Sequence, residues 1–110
     1  MPPLRPSERG ALDDFCAHVR SVFGERLREL ALFGSRARGD GDEDSDLDVL
    51  IVVRDLTGAE AREVGQAAGD ALTQHDVILS PFVVSTEHMD RLRSRERTIA
   101  LEITRDAVPL

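Results

Sequence analysis

Apolar residues first recur along the chain at spacings of three and four. Leu12, Phe15, Cys16, Val19, Val22 and Phe23 fall on one face of a helix that starts near Ser7, after a loose Pro-rich start over residues 1–6. Gly24 ends that pattern. Leu27 to Phe33 then reads as a strand, broken by Gly34-Ser35. The run from Asp46 to Val53 is the clearest strand. Leu47, Val49, Ile51 and Val53 take one face, Leu50 and Val52 the other, so both faces are apolar beyond the first turn. Such a strand belongs to a sheet covered on both sides.

Thr57 is placed to cap a second helix reaching about Gln74, with Ala61, Val64, Ala68, Ala71 and Leu72 facing inward. Gly65 and Gly69 weaken it by about 1 kcal/mol each relative to Ala, and close packing on the sheet would account for them. "HDVILSPFVVS" reads as a third strand, with Pro81 marking an edge or a bulge. A helix follows from Ser85 or Thr86. A last amphipathic helix, roughly Arg95 to Arg105, carries Ile99 and Ile103. Strands and helices alternate, so the fold class is α/β: a small mixed sheet flanked by helices, in one domain over residues 1–110.

Composition narrows the function. A net charge of -7 argues against a dominant nucleic-acid partner, which would want a basic surface. It does not exclude a nucleotide held through metal ions, because bound cations reverse the local sign. All 14 basic residues are Arg, so no Lys nucleophile and no P-loop Lys is available. Cys16 is the one cysteine and lies on the apolar stripe, as a buried structural thiol would. No apolar run approaches the roughly 20 residues of a membrane span, and "MPPLRP" lacks the apolar core of a signal peptide. A cytoplasmic protein is the expectation.

The chemistry concentrates in "LFGSRARGDGDEDSDLDVLIVV", residues 32–53. Asp46 and Asp48 stand at i and i+2 of a strand, about 6.6 Å apart and on one face. Two bare carboxylates there repel one another, and a divalent cation between them removes the cost. Hard oxygen ligands select Mg²⁺ or Mn²⁺. Upstream, Gly34 allows close backbone approach to a ligand, and Ser35 opens a turn whose N–H groups can meet an anion. Arg36 and Arg38 share that turn, and a purely structural ion pair is the alternative role for one of them. A phosphate cradle beside paired carboxylates reads as phosphoryl or nucleotidyl transfer. An EF-hand beginning at Asp40 fails, with Ser45 where Gly is needed and Ile51 where Glu is needed. The bland alternative is a solvated acidic hairpin, Asp40 to Ser45, leading into a strand.

"GSRARGD" followed by "SDLDVLIVV" resembles the minimal nucleotidyltransferase family of the polymerase-β-type superfamily. The resemblance extends to the closing "RTIALEITRDAVPL", where Asp106 stands in place of the Gly of many relatives. It implies a polymerase-β palm-like nucleotidyltransferase fold. It also implies Mg²⁺ ligation by Asp46 and Asp48, with two ions in the full site and Mn²⁺ as a substitute. Gly34 and Ser35 would bind the triphosphate, joined by Arg36 and Arg38. A third acid is expected on the next strand, and Asp76 in "HDVIL" fills that place, binding one metal and activating the attacking hydroxyl. His75 beside it would point away. By the same resemblance, ATP is the substrate and AMP is moved onto a HEPN-type helical toxin, making the chain an antitoxin. Two alternatives stand beside this. One is a nucleotide-binding module that neutralises a partner without turnover. The other is an aminoglycoside-type small-molecule transferase.

Overall fold

The structure, a computed structural model, describes residues 4–39, 46–95 and 98–110. The expected acidic hairpin from Asp40 to Ser45, the first three residues of the Pro-rich start and residues 96–97 lie outside the described residues.

Helix α1 spans Pro6–Phe23. It begins slightly earlier than Ser7 because proline suits a first helical position, where its missing N–H has no partner to lose. The Glu8 carboxylate accepts the Arg5 amide at 2.9 Å, closing the N-terminus. Leu4 packs on the core, so the loose start is shorter than expected. Strand β1 (Leu27–Phe33) leads to the short helix α2 (Ser35–Arg38), then to β2 (Leu47–Val53). Helix α3 (Gly58–His75) opens on the expected cap, with the Thr57 hydroxyl accepting the Glu60 amide at 3.2 Å. Strand β3 (Leu79–Ser85) runs into α4 (Thr86–Ser94), whose amide at His88 donates to the Ser85 hydroxyl. Helix α5 (Thr98–Asp106) and the short β4 (Val108–Pro109) close the chain.

The sheet order is β3-β2-β1-β4. β2 pairs antiparallel with β1 and parallel with β3, so α3 is the crossover that a parallel pair requires. Pro81 lies on the edge strand β3, where a missing donor costs least. Alternation along β2 divides the core. Leu47, Val49, Ile51 and Val53 pack with Leu12, Phe15 and Val19 of α1 and Val64, Ala68 and Ala71 of α3. Leu50 and Val52 pack on the other side with Met89 of α4 and Ala100 and Ile103 of α5.

Three expectations about the helices change. Leu72 is 48% exposed because the buried stripe of α3 runs through Val64, Ala68 and Ala71, one step to its side. Ile99 is 37% exposed because α5 buries Ala100, Ile103 and Asp106 instead. Gly65 and Gly69 have open space where a Cβ would stand, so packing on the sheet does not explain them.

Candidate active site

The site forms where β1 hands over to α2 beside the mouth of β2. Phe33 pairs with Asp48 across the antiparallel ladder, which sets Gly34 next to the opening of β2. Gly34 has φ 77°, a conformation that disfavours any side chain, and a Cβ built there would collide with the Asp48 carboxylate. Only glycine lets the backbone pass so close to that acid. The Gly34 carbonyl then accepts the amides of Ala37 and Arg38, both at 3.1 Å, winding the chain into α2. Gly39, at φ 84°, closes the turn with its amide on the Ser35 carbonyl at 3.0 Å. The first amides of such a turn have no acceptor within the helix.

Asp46 is exposed just before β2, and Asp48 is half-buried within it. Burial pushes the Asp48 carboxyl above its ordinary range, and the charge of Asp46 pushes it further. This is the electrostatic signature of a carboxylate pair that a cation would relieve. The donor set, two hard carboxylates two positions apart at the mouth of β2, fits Mg²⁺ or Mn²⁺.

Asp76 does not open a strand. Helix α3 continues through His75, and Asp76 caps it in the left-handed region at φ 56° and ψ 39°, exposed, three positions before β3 begins at Leu79. Asp tolerates that conformation better than most residues. The β3 residue in register with Asp48 is Ser80, and the Leu47 amide donates to the Ile78 carbonyl at 3.2 Å. Among the described residues, no group of three His, Cys, Asp or Glu side chains is gathered to hold a metal ion. His75 turns to Asp14 of α1, with Nε2 and Oδ2 2.8 Å apart.

The two arginines of α2 diverge. Arg36 is buried and donates to both oxygens of Glu8, at 2.6 and 2.8 Å. That guanidinium holds the Glu8 carboxyl down to about 2, with the Arg5 amide assisting against burial. Arg36 thus forms a buried ion pair that anchors α2 onto α1. Arg38 donates to Asp106 at 2.8 Å. Asp106 also accepts from Arg105, and these bonds hold its carboxyl at about 2, Arg105 contributing most and Arg38 next. Glu8 and Asp106 were missed as site-supporting residues. The signal for Asp106 is its spacing, an acid three positions beyond Ile103 on the stripe that α5 buries.

A family model for the nucleotidyltransferase domain matches residues 15–103. A Methanocaldococcus jannaschii protein carrying the name "putative protein adenylyltransferase" is 31% identical over 88 residues, covering 76% of this chain and 89% of its own. A second protein of that organism and name is 44% identical over 46 residues, 42% of this chain and 46% of its own. Among solved structures, a Sulfolobus solfataricus protein described as a "putative nucleotidyltransferase" aligns over 99% of this chain and 89% of its own, with a TM-score of 0.53 at 21% identity. A chain from a toxin–antitoxin crystal structure with AMP-PNP aligns over 88% of this chain and 70% of its own, with a TM-score of 0.56 at 19% identity. At those identities the structures speak for the fold alone. The family match over most of the chain, and the archaeal relative aligned along nearly its whole length, establish that this chain belongs to the nucleotidyltransferase domain family and is a nucleotidyltransferase.

Proposed function

We propose that this protein moves AMP from ATP onto a hydroxyl of a partner protein, in the manner of an antitoxin silencing a HEPN-type helical toxin. The observation that carries the chemistry is the Asp46–Asp48 pair, with Asp48 raised by burial and by its neighbour, pressed against a glycine that leaves it room. The partner half rests on the archaeal relative's name and on the toxin–antitoxin neighbour.

In this reading the acceptor oxygen attacks the α-phosphorus of ATP. One P–O bond forms, the bond to the β-phosphate bridge breaks, and pyrophosphate leaves. Asp46 and Asp48 would hold Mg²⁺, with Mn²⁺ as a substitute, and the metal supplies charge neutralisation for the triphosphate. The Gly34–Ser35 turn contributes backbone amides and the Ser35 hydroxyl to the phosphates. Asp76 is the candidate to take the acceptor's proton, a role worth about 10²–10⁴-fold.

One observation favours a second reading, a nucleotide-binding module that neutralises its partner by covering it. Asp76 stands off the strand as an exposed cap, which leaves two acids in close company. The experiment is intact mass spectrometry of a co-expressed HEPN-type partner, with and without Mg²⁺-ATP. AMP added by the parent and not by Asp48→Asn supports transfer. Tight complex formation and ATP binding without any mass change would replace it with the binding module.

A further inference from the structure

Helix α2 is four residues long, yet its two arginines are tied to opposite ends of the chain. Arg36 reaches back 28 positions to Glu8 of α1, and Arg38 reaches forward 68 positions to Asp106 of α5. Helices α1 and α5 cover opposite faces of the sheet, so the turn is held from both sides. The two ties differ in character. The Arg36 side chain is 8% exposed and its charge is spent inside the protein. The Arg38 side chain is 36% exposed while the Asp106 side chain beneath it is 3% exposed. Ser35 and Arg38 stand three positions apart, so they share one side of the turn.

Asp106 occupies a place where the fold alone would favour an apolar residue. It continues the buried stripe of Ala100 and Ile103. A buried ion pair contributes little net stability compared with a well-packed apolar residue of similar volume. A carboxylate kept there therefore points to a task in orientation. Planar guanidinium groups grip phosphates well only when oriented, because their donors form a rigid fork. The low carboxyl range of Asp106 keeps the tie ionised across the whole neutral range.

We propose that Asp106 is a positioning residue for nucleotide binding: it holds the Arg38 guanidinium on the Ser35 side of the turn, where the cation meets the phosphates of the bound nucleotide. The inference rests on the nucleotide-binding reading of Gly34 and Ser35 above. Asp106 accepts from Arg105 as well as from Arg38, and of these two it is Arg38 that stands on the turn, so the effect of Asp106 on nucleotide affinity should pass through Arg38.

That dependence gives the test, a double-mutant cycle on the full chain, with Mg²⁺-ATP affinity by titration calorimetry and melting temperature recorded separately. Asp106→Asn and Arg38→Gln should each weaken ATP binding about tenfold, the scale of one lost charge-assisted contact. The double variant should bind no more weakly than Arg38→Gln alone. Where transfer is measurable, KM for ATP should rise with kcat little changed, as expected when ground-state and transition-state binding are lost together. If Asp106→Asn does not fold, Asp106→Glu carries the same cycle, with a smaller weakening that again disappears in the Arg38→Gln background. Parental affinity in the Asp106 variant, or equal weakening with and without Arg38, overturns the proposal and leaves Asp106 a structural anchor. A parent that binds no Mg²⁺-ATP overturns the nucleotide reading itself, and this inference with it.

Discussion

The two faces of β2 are built from neighbouring residues and have opposite fates. On one face Leu47, Val49, Ile51 and Val53 are buried to the strand's first residue, Leu47 being 1% exposed. On the other, Leu50 and Val52 are buried, but the positions before them are Asp48 and Asp46, half-buried and exposed. The covering helices explain the difference. α1 and α3 have 18 residues each, about 27 Å, and can span a seven-residue strand of about 23 Å. α4 and α5 have nine residues each, about 13–14 Å, and each is shorter than the strand it lies on. Among the described residues, one face is thus apolar along the whole strand, while the other gives way to carboxylates at its mouth. A one-residue shift along a strand moves a side chain between those roles.

That contrast predicts how the molecule breaks. The largest effect should come from placing the site's chemistry on the wrong face. Leu47→Asp buries an unpaired charge against α1 and α3 and should abolish cooperative folding, visible as loss of the thermal transition. A folded, stable Leu47→Asp protein would show that the two faces are not so different.

Next comes Asp48→Asn, the mirror experiment. It should reduce Mg²⁺-dependent ATP binding by more than about 100-fold, the loss of a direct metal ligand exceeding that of an outer partner. Stability should hold or rise. The sign follows from the raised carboxyl of Asp48. The folded state binds this proton more tightly than the unfolded chain, so ionised Asp48 burdens the fold above its folded pKa, and the burden fades as pH falls through it toward 3.8. Denaturant titrations of parent and variant at neutral and acid pH check this: the variant's advantage should shrink on acidification.

Glu8 has the opposite sign. Its carboxyl lies at about 2 against an ordinary 4.5, so its contribution is complete above about 4.5 and lost as pH falls toward 2. Glu8→Gln removes the carboxylate that receives two Arg36 nitrogens inside the protein and should cost about 3 kcal/mol at neutral pH. The deficit should narrow below pH 4.5, because the parent loses the same ion pair there. A constant deficit across that range would mean that Glu8 acts by packing alone.

The smallest effect is expected outside both faces. Leu72, 48% exposed, should tolerate Leu72→Gln within about 0.5 kcal/mol, with ATP affinity unchanged. A larger loss would reveal a covering surface on α3.

The strand at 27–33, the Thr57 cap, the α4 start and both faces of β2 were legible because each is a local pattern: a period, a capping residue, a glycine. The expectation of a carboxylate pair rests on the same kind of local signal, since strand alternation would put residues 46 and 48 on one face. Asp76 was misread as a strand opening because nothing local marks where α3 gives way to β3. The helix runs to His75, and the residue after it takes the left-handed cap. Leu72 and Ile99 were misplaced because a periodic helix fits either of two adjacent stripes, and only the neighbouring sheet selects one.

By itself the sequence determined most of the elements and both faces of β2, and it supplied the candidate chemistry proposed for Gly34, Ser35, Asp46 and Asp48. These follow from interactions between residues a few positions apart. The tertiary structure alone decided that Arg36 belongs to Glu8 and Arg38 to Asp106, and that Gly34 must lack a side chain because Asp48 lies against it. Each of these joins residues that pairing and packing bring together from distant parts of the chain. An arginine's spacing along a helix says which side it leaves from, while the acid that receives it is set by which helices close over the two faces of the sheet.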